Sequence, residues 1–496
     1  MTSIHVFNTE SGQTELFEPI ASPVKMYVCG LTPKNEPHLG HARLFVVNDT
    51  VRRYLEYRGF PVEYIQNFTD IDDKIIAAGL REGIPPSQAA RRYMESYFRE
   101  MDRLNVRRAS DYTLVTEFIP QIIAFIEGLI EKGHAYPIDD GDVYFSVPSF
   151  PDYGKLSKRD EEAMRSGARI EPDERKHDPR DFALWKAAKP DEPSWPSPWG
   201  PGRPGWHIEC STMAVERLGE QIDIHGGGSD LIFPHHENEI AQTESLTGLA
   251  PFARYWVHTG MMSLPAEDGA EGPQKIAHSG KFITIRQTLE DGDIPAPALR
   301  TYLLSLRYRD TLIFSEESLR ATVSRWRRWA EVESTLVRLI AWAEQHSGGD
   351  ALPTEAEQTL AEALEKWKTE FVAAMDDDFN TSRALGAIDG LVRDINTYAS
   401  GLGSEPGPSS YGSLRRALET LREVTGVIGV ALVETSTDDA LSDEQVKAIE
   451  ALLAERESAR KAKNWPEADR IRETLDEEYK VALKDTPQGA TWTVKK

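Results

Sequence analysis

The sequence predicts a multidomain α/β protein whose first domain contains a parallel sheet. Its 496 residues exceed what one compact core holds, at about 100–200 residues per domain. Strand, helix and strand patterns follow one another over residues 24–68, as in a βαβ unit. From about Leu299 onward, apolar residues recur at spacings of three and four, which is typical of helices.

The composition is that of an ordinary globular protein, with 40% hydrophobic and 28% charged residues. The apolar runs are short, so none is expected to span a membrane. Residues 1–15 are polar and lack the basic start and apolar stretch of a targeting peptide. Two cysteines cannot form a disulfide framework, which favours a reducing compartment. We therefore expect a cytoplasmic protein with no membrane partner.

The formal net charge is 57 − 81 = −24. Taken alone, this argues against nucleic acid as a partner, because phosphate binding prefers a basic face. An acidic chain can still bind RNA through local basic strips while its acidity rejects non-specific contacts. Basic residues of this kind cluster near the C-terminus: Arg456, Arg460, Lys461, Lys463, Arg470 and Arg472.

The predicted βαβ unit begins with an apolar strand at residues 24–29, followed by a turn-rich stretch. A helix is expected from about residue 42 to residue 58, where Gly59 is suited to a C-terminal cap. A second strand is expected at residues 61–68. The pattern then changes at residues 119–205, which we interpret as an insertion in the sheet, with a surface excursion at residues 187–205 rich in Pro, Trp and Gly.

The sheet is expected to resume at residues 206–210 and again at 222–225. Loops are expected at residues 263–274, where we predict mobility, and at 401–413, with a linker at 435–443. The predicted domain organisation has six parts: the first half of the α/β domain at 1–118, an insertion at 119–205, the second half at 206–250, a loop-containing region at 251–315, a helical bundle at 316–435 and a C-terminal module at 436–496.

The first candidate site is HLGH at residues 38–41, after a strand and turn and just ahead of the predicted helix. Helix N-termini bind phosphate because they offer free amide donors and a positive dipole end. Gly40 allows close approach to the backbone, and His38 and His41 could steady the charge of an anion. Two surface histidines would be the better interpretation of this pattern in isolation, but the βαβ context favours a phosphate site.

A second candidate site is a metal centre. Zinc takes cysteine sulfur, histidine nitrogen and carboxylate oxygen. His235 and Glu239 are four residues apart and would share a helix face, although His236 would serve almost as well by spacing alone. Cys29 and Cys210 could complete the set. From the residues alone, two buried cysteines that pack as small apolar side chains are an equally good interpretation.

Six segments together carry a resemblance to a known family. They are residues 26–30 (MYVCG), 38–41 (HLGH), 68–74 (FTDIDDK), 205–211 (GWHIECS), 223–230 (DIHGGGSD) and 234–239 (PHHENE). The chain resembles the cysteinyl-tRNA synthetases, a family of class I aminoacyl-tRNA synthetases, over nearly its whole length. The resemblance implies a class I Rossmann-type catalytic domain with an insertion domain, a helical bundle that includes a DALR-type segment at 297–304, and a small C-terminal anticodon-binding module.

The resemblance also implies the ligands of one zinc ion: Cys29, Cys210, His235 and Glu239. Four protein ligands usually mean a closed structural site. In the family the substrate thiolate adds a fifth ligand, and a soft donor distinguishes cysteine from serine. Carried over residue by residue, the family implies catalytic roles for His38, His41, Lys275 and Lys281. ATP contacts are implied for Gly40, Gly228, Asp230 and His278, and cysteine contacts for Thr69, Trp206 and His225. A satisfied polar residue remains an alternative for His225.

The second phosphate-binding element departs from the family pattern, which reads KMSKS followed by Leu-Gly-Asn. Residues 275–279 read KIAHS, so His278 stands where the second lysine is expected, and one residue is missing before Gly280. Histidine is a weaker and pH-dependent cation. Lys281 could supply the lost charge.

The expected reaction joins L-cysteine to ATP as cysteinyl adenylate, releases pyrophosphate, and transfers the acyl group to tRNA(Cys). Mg²⁺ is expected with ATP. Trp465, Asp469 and Trp492 are expected to contact the anticodon, because aromatic rings stack on unpaired bases. The sequence does not determine the oligomeric state, and a monomer is the working expectation.

Three alternatives are open at this stage. A cysteine:amino-sugar ligase of the mycothiol type would use the same adenylate but resembles a synthetase without the anticodon module. A nucleotidyltransferase would use the HLGH element without tRNA, which the metal set disfavours. A non-catalytic tRNA-binding relative is favoured only by the altered element at residues 275–279.

Overall fold

A computed structural model describes two compact units, Met1–Glu434 and Thr435–Lys496. The described residues are 3–159, 174–190, 192–265, 274–275, 283–346, 353–403 and 410–433 in the first unit, and 452–453, 455–456, 459–460, 464–477, 479, 481–486 and 489–494 in the second. For residues 274–275, 477, 481–486 and 489–494 the description covers the backbone only.

A five-stranded parallel sheet forms the centre of the first unit, with the strand order β11–β10–β3–β4–β5. Its strands are β3 (Val24–Leu31), β4 (Val62–Phe68), β5 (Asp111–Leu114), β10 (Ile222–Gly228) and β11 (Ala253–Thr259). The chain leaves β3 towards β4 and leaves β10 towards β11, so the connections diverge between β3 and β10. Ligands of open α/β sheets bind at such a switch point, beyond the carboxyl ends of the strands.

Helices cover both faces of this sheet. One face carries α1 (Leu39–Tyr57), and the other carries α5 (Trp206–Leu218) and α6 (Glu237–Thr247). Between β4 and β5 lie α2 (Asp73–Glu82) and α3 (Pro86–Arg103). The βαβ unit is therefore confirmed, with α1 beginning three residues earlier than predicted because His38 caps it.

The prediction of a strand at residues 206–210 is wrong, because these residues form the first turns of α5. The segment is apolar enough for a buried strand, but it begins a helix whose residues 208–214 are all buried and which packs on α6 and on the helix Ile119–Glu131. The consequence for function is direct, since His207 and Cys210 then lie one turn apart on the same helix.

The insertion contains α4 (Ile119–Glu131) and a four-stranded antiparallel sheet of order β6–β7–β8–β9. These strands are β6 (Ala135–Pro137), β7 (Val143–Phe145), β8 (Phe182–Ala187) and β9 (Gly202–Pro204). The predicted surface excursion at 187–205 is wrong at its end, because β9 is buried and pairs with β8.

The rest of the first unit combines short strands with a helical bundle. The strands are β1 (His5–Asn8), β2 (Gln13–Leu16), β12 (Met262–Leu264), β13 (Gln274–Lys275) and β14 (Leu312–Ile313). The helices are α7 (Ile285–Glu290), α8 (Ala296–Leu303), α9 (Glu316–His346), α10 (Glu355–Asp376), α11 (Thr381–Leu402) and α12 (Ser410–Val427). Trp326 and Trp329 are buried in the bundle, as their helical spacing indicates. The predicted loops are shorter than expected, because residues 263–264 belong to β12 and residues 401–402 and 410–413 are helical.

The second unit contains α13 (Trp465–Glu477) and the antiparallel pair β15 (Val481–Thr486) and β16 (Gly489–Val494). The linker predicted at residues 435–443 lies outside the described residues. Among the helices that the structure describes, none is both long and apolar enough to cross a bilayer.

Candidate active site and metal centre

Four donor groups converge at the carboxyl end of β3. One donor atom each of Cys29, Cys210, His235 and Glu239 lies within 4.8 Å of the others, and all four residues are buried. The Cys29 Sγ to Glu239 Oε1 distance is 3.4 Å, and His235 Nε2 lies 3.1 Å from the same oxygen. Tetrahedral zinc bonds of about 2.0–2.3 Å separate ligands by about 3.3–3.8 Å, so the donor chemistry and the spacing fit a zinc ion.

The local backbone explains why Cys29 points into this cluster. The pairing of β3 with β4 shifts register between Val28 and Leu31, and such irregularities re-aim side chains. Gly30 makes the shift feasible: its N–H donates to Asn67 Oδ1 at 2.8 Å, and a Cβ on Gly30 would lie 1.6 Å from the Asn67 carbonyl oxygen. No residue other than glycine fits beside Cys29.

A second donor set overlaps the first. Cys29 and Glu239 also lie within 4.8 Å of donor atoms on His225 and His236. His225 Nε2 is 2.8 Å from Glu239 Oε2, and His236 Nε2 is 3.8 Å from Glu239 Oε1. Spacing alone could not separate His235 from His236, and the structure brings both of them to Glu239.

Burial controls the electrostatics of the centre. Burial raises the pKa of the Cys29 thiol well above its ordinary value, and the neighbouring Cys210 and Glu239 add to that rise. For Cys210, contact with Cys29 lowers the pKa while burial raises it, with a net rise. Burial makes it energetically unfavourable for the two thiols and the carboxylate to carry negative charge. A bound cation would offset this unfavourable energy.

Aromatic rings form the wall of the centre. Trp206 stacks on His235 with ring centroids 4.4 Å apart and remains 39% exposed, so it faces the open side of the site. His225 is fully buried and stacks on Trp256 at 4.5 Å. His225 therefore contacts Glu239 from a fully buried position. Its predicted contact with cysteine stays a prediction.

Thr69 lies near this wall but is buried, and its hydroxyl donates to Glu209 Oε2 at 2.9 Å. Burial raises the pKa of Glu209 well above its ordinary range, while the Thr69 hydrogen bond opposes that rise. Thr69 thus contacts helix α5, which begins at Trp206 and also carries Cys210.

The HLGH element forms an unusual cap at the start of α1. His41 N donates to His38 Nδ1 at 3.2 Å, and His38 N donates to His41 Nδ1 at 3.4 Å. The rings stack with centroids 3.6 Å apart. Because each Nδ1 accepts a hydrogen bond, each neutral ring carries its proton on Nε2 and presents that N–H as a donor.

Burial keeps these rings neutral. It lowers the pKa of His38 to about 4, with the Lys34 ammonium adding to the shift, and lowers the pKa of His41 well below its ordinary value. A Cβ on Gly40 would lie 2.9 Å from His38 Cε1, so glycine leaves room for this ring. The predicted contact of Gly40 with ATP stays a prediction.

Three consecutive glycines, Gly226, Gly227 and Gly228, form the carboxyl end of β10. A Cβ on Gly226 would lie 2.7 Å from Asn48 Oδ1, and one on Gly227 would lie 2.5 Å from His236 Cε1. Gly228 is partly exposed, and Asp230 is exposed at the rim. β10 pairs with β3 at the switch point, and Gly228 is its last residue. Ligands of open α/β sheets bind at this place, which is consistent with the predicted ATP contacts of Gly228 and Asp230.

Several predicted residues cannot be placed in the site. The Lys275 side chain, His278 and Lys281 lie outside the described residues, as does the Trp492 side chain. In the second unit, Trp465 is 56% exposed and Asp469 is exposed on the same helix, α13.

Sequence reasoning missed three histidine and tyrosine neighbours of the metal donors. His207 Nδ1 lies 2.9 Å from His235 Nδ1, and His258 Nε2 lies 2.8 Å from His236 Nδ1. Tyr27 is buried two residues before Cys29 on the same side of β3. A helical assignment for residues 206–210 would have revealed His207, since it precedes Cys210 by three residues.

Three family profiles match parts of the chain. A family profile described as "tRNA synthetases class I (C) catalytic domain" matches residues 16–324. A DALR domain profile matches residues 370–433, inside the predicted bundle, whereas the segment at 297–304 falls within the catalytic-domain match. A profile described as "Cysteinyl-tRNA ligase anticodon binding domain" matches residues 442–492.

Two curated relatives match over nearly their full length. The cysteine--tRNA ligase of Heliobacterium modesticaldum is 47% identical, with 99% of each chain covered. The cysteine--tRNA ligase of Carboxydothermus hydrogenoformans is 44% identical over 98% of this chain and 99% of its own.

Solved structures share the fold at low sequence identity. Mycobacterium tuberculosis methionyl-tRNA synthetase with methionyl-adenylate matches with a TM-score of 0.60 at 14% identity, covering 83% of this chain and 92% of its own. A putative arginyl-tRNA synthetase from Campylobacter jejuni matches with a TM-score of 0.55 at 15% identity, covering 84% of this chain and 95% of its own.

Proposed function

The chain belongs to the cysteine--tRNA ligase family of class I aminoacyl-tRNA synthetases, and on that premise we propose that it charges tRNA(Cys) with L-cysteine. In the first step a cysteine carboxylate oxygen attacks the α-phosphorus of ATP, and the bond to the bridging β-phosphate oxygen breaks to release pyrophosphate. In the second step the terminal ribose hydroxyl of the tRNA attacks the acyl carbon, loses its proton, and AMP leaves.

The observation that carries cysteine specificity is the buried donor set of Cys29, Cys210, His235 and Glu239. We assign it to one zinc ion. When bound, zinc supplies a soft Lewis acid that takes thiolate sulfur in preference to the hydroxyl oxygen of serine. Trp206 lies over His235 and closes one side of this position, so a small side chain could be held there while its carboxylate points towards the switch point.

The residues around the phosphates act by positioning rather than by proton transfer. His38 and His41 present Nε2–H donors from the start of α1, where the free amides of the first turn also point. Preorganised donors of this kind stabilise charge that develops on phosphate oxygens. Gly228 and Asp230 are assigned to the nucleotide, Lys275, His278 and Lys281 to the leaving group, and Mg²⁺ to the ATP.

The anticodon contact is assigned to the second unit. Trp465 is exposed on α13, where an indole would otherwise be buried, and an exposed ring offers a stacking surface to an unpaired base. Asp469 lies one turn further along the same helix, and Trp492 is on β16.

The amino-sugar ligase is not favoured, because the anticodon-domain match covers residues 442–492. The altered element at 275–279 is the one remaining argument for a non-catalytic relative. A charging assay separates the three. The zinc-loaded protein should attach labelled cysteine to tRNA(Cys) and should attach none to glucosaminyl-inositol, whereas activity on the amino sugar alone, or on neither acceptor, would contradict the proposal.

A further inference from the structure

A half-buried lysine lies beside the HLGH element. Lys34 belongs to the segment between the end of β3 at Leu31 and the helix cap at His38. Arg81 contacts this segment, because its Nη2 donates to the Lys34 carbonyl at 3.4 Å and to Asn35 Oδ1 at 3.2 Å. Lys34 thus lies just after the carboxyl end of β3 and four residues before His38.

Among the described residues, Lys34 has a second ammonium group nearby, that of Lys74, and forms no ion pair with a carboxylate. Burial lowers the pKa of Lys34, and the nearby Lys74 ammonium lowers it further, while Asp72 opposes this weakly. Among the described residues, no carboxylate comes within 4.0 Å of the ammonium group of Lys34 or Lys74. Lys74 instead lies over the Trp206 ring at 5.9 Å. Unpaired charges in a half-buried crevice are costly unless a ligand supplies the counter-charge.

Lys34 is also a cation near the two histidines. It is close enough to lower the pKa values of both His38 and His41, which are neutral near pH 7. Lysine's ordinary pKa lies about four units above that of histidine. The rings therefore supply hydrogen bonds at this position, and Lys34 supplies charge.

We propose that Lys34 contacts a phosphate group of bound ATP and is a further catalytic residue for cysteine activation. The inference rests on the proposed function for the identity of the ligand. It also fits the sequence of the second phosphate element, where His278 replaces a lysine and leaves that element with less fixed charge.

The test compares the affinities of ATP and adenosine, because only ATP carries the phosphates. Lys34→Gln should weaken ATP binding by about 10–100-fold, the range expected for one charge-assisted hydrogen bond, and leave adenosine affinity within about twofold. Lys34→Arg should retain ATP affinity within about threefold. Lys189→Gln is the matched control, since Lys189 is an exposed lysine of the insertion and should behave as wild type. Titration calorimetry with zinc-loaded protein measures ATP and adenosine affinity for the wild-type protein and the three variants.

Unchanged ATP affinity in Lys34→Gln would overturn the inference, and so would equal losses for ATP and adenosine, which indicate a structural role. Cysteine-dependent ATP–pyrophosphate exchange separates this failure from failure of the proposed function. Exchange by the wild-type protein with normal exchange by Lys34→Gln refutes the role of Lys34 alone, whereas absence of exchange in the wild-type protein refutes the proposed activity.

Discussion

Cys210 and His235 distinguish the two overlapping donor sets at the metal centre, because each belongs to one set only. His236 belongs only to the other set, together with His225. Cys210→Ser and His235→Gln should therefore lose most of their zinc, while His236→Gln should retain about one equivalent. Metal analysis after dialysis against a weak chelator gives the occupancy, and far-ultraviolet circular dichroism controls for folding.

Cobalt substitution adds an independent measurement, since thiolate-to-cobalt absorption increases with the number of thiolate ligands. The assigned set contains two thiolates and the alternative contains one. Full zinc in Cys210→Ser, with loss of zinc in His236→Gln, would assign the ion to the alternative set.

His38 gives the protein a pH dependence whose sign follows from its depressed pKa. The folded ring has a pKa of about 4, below the ordinary value near 6.5, so the unfolded chain binds a proton first as pH falls. Stability from this group is fully present above about pH 6.5 and is lost as pH falls towards 4. By pH 5 the wild-type protein should lose about 1–2 kcal/mol that His38→Gln does not lose.

Urea unfolding of both proteins at pH 7.5 and pH 5 measures this difference. The comparison requires the same metal load in both proteins, because the zinc ligands also titrate in acid. Identical pH dependence in the two proteins would mean that His38 is not held neutral by burial.

At the scale of elements, two glycines one turn apart on α11 have opposite roles. A Cβ on Gly386 would meet no atom within 4 Å, whereas one on Gly390 would lie 2.5 Å from the Trp367 ring of α10. Gly386→Ala should stabilise the bundle by about 0.5–1 kcal/mol through helix propensity. Gly390→Ala should destabilise the bundle, because the Trp367 indole would have to move and would lose its hydrogen bond to Asp394.

Thermal unfolding of the matched pair checks this prediction, with tRNA charging as a control for the distant active site. Equal shifts of the melting temperature in the same direction would show that α10 and α11 do not pack through Gly390.

Local sequence patterns were sufficient to predict the βαβ unit and the bundle, because β3 and β4 are short segments buried almost throughout and α9 buries one helical face. They failed at residues 206–210, where a short run with apolar residues fits either a strand or a helix until its packing partners α4 and α6 are known. Periodicity alone cannot distinguish a strand from a helix in a run this short. The helix that contains these residues continues to Leu218 and packs on α4 and α6.

The candidate site was predictable to the extent that it rests on motif residues. Cys29, Cys210, His235 and Glu239 come together as the family pattern implies, although three separate segments supply them. Sequence could not indicate that His38 and His41 cap each other, that His225 contacts Glu239 from a buried position, or that Lys34 forms no ion pair with a carboxylate of the described residues. Each of these depends on tertiary burial, which changes both the charge of a group and the atoms it can reach.

At the scale of the whole molecule, Arg300 links the catalytic sheet to the end of the bundle. It is fully buried in α8, donates to Asp49 Oδ2 of α1 at 2.5 Å and to the Leu104 carbonyl at 2.9 Å, and reaches the Ile428 carbonyl at 2.8 Å. Gly429 adjoins the guanidinium so closely that a Cβ there would lie 2.5 Å from it.

Arg300→Met should lower the free energy of unfolding by about 3 kcal/mol or more, because it leaves buried acceptors without a donor. Arg320→Met is the matched control, since Arg320 pairs with Glu316 on the exposed face of α9 and should leave the unfolding midpoint unchanged. Equal, small effects of both changes in urea unfolding would show that the two parts do not depend on Arg300.

The central claim is that buried metal donors select cysteine for activation by ATP. Its most direct measurement is ATP–pyrophosphate exchange with cysteine and with serine, on zinc-loaded protein and on protein stripped of metal. We expect exchange with cysteine on the zinc-loaded protein, at least about 10⁴-fold weaker exchange with serine, and loss of the cysteine preference without metal. Comparable exchange with both amino acids, or a cysteine preference that survives metal removal in a folded protein, would contradict the account.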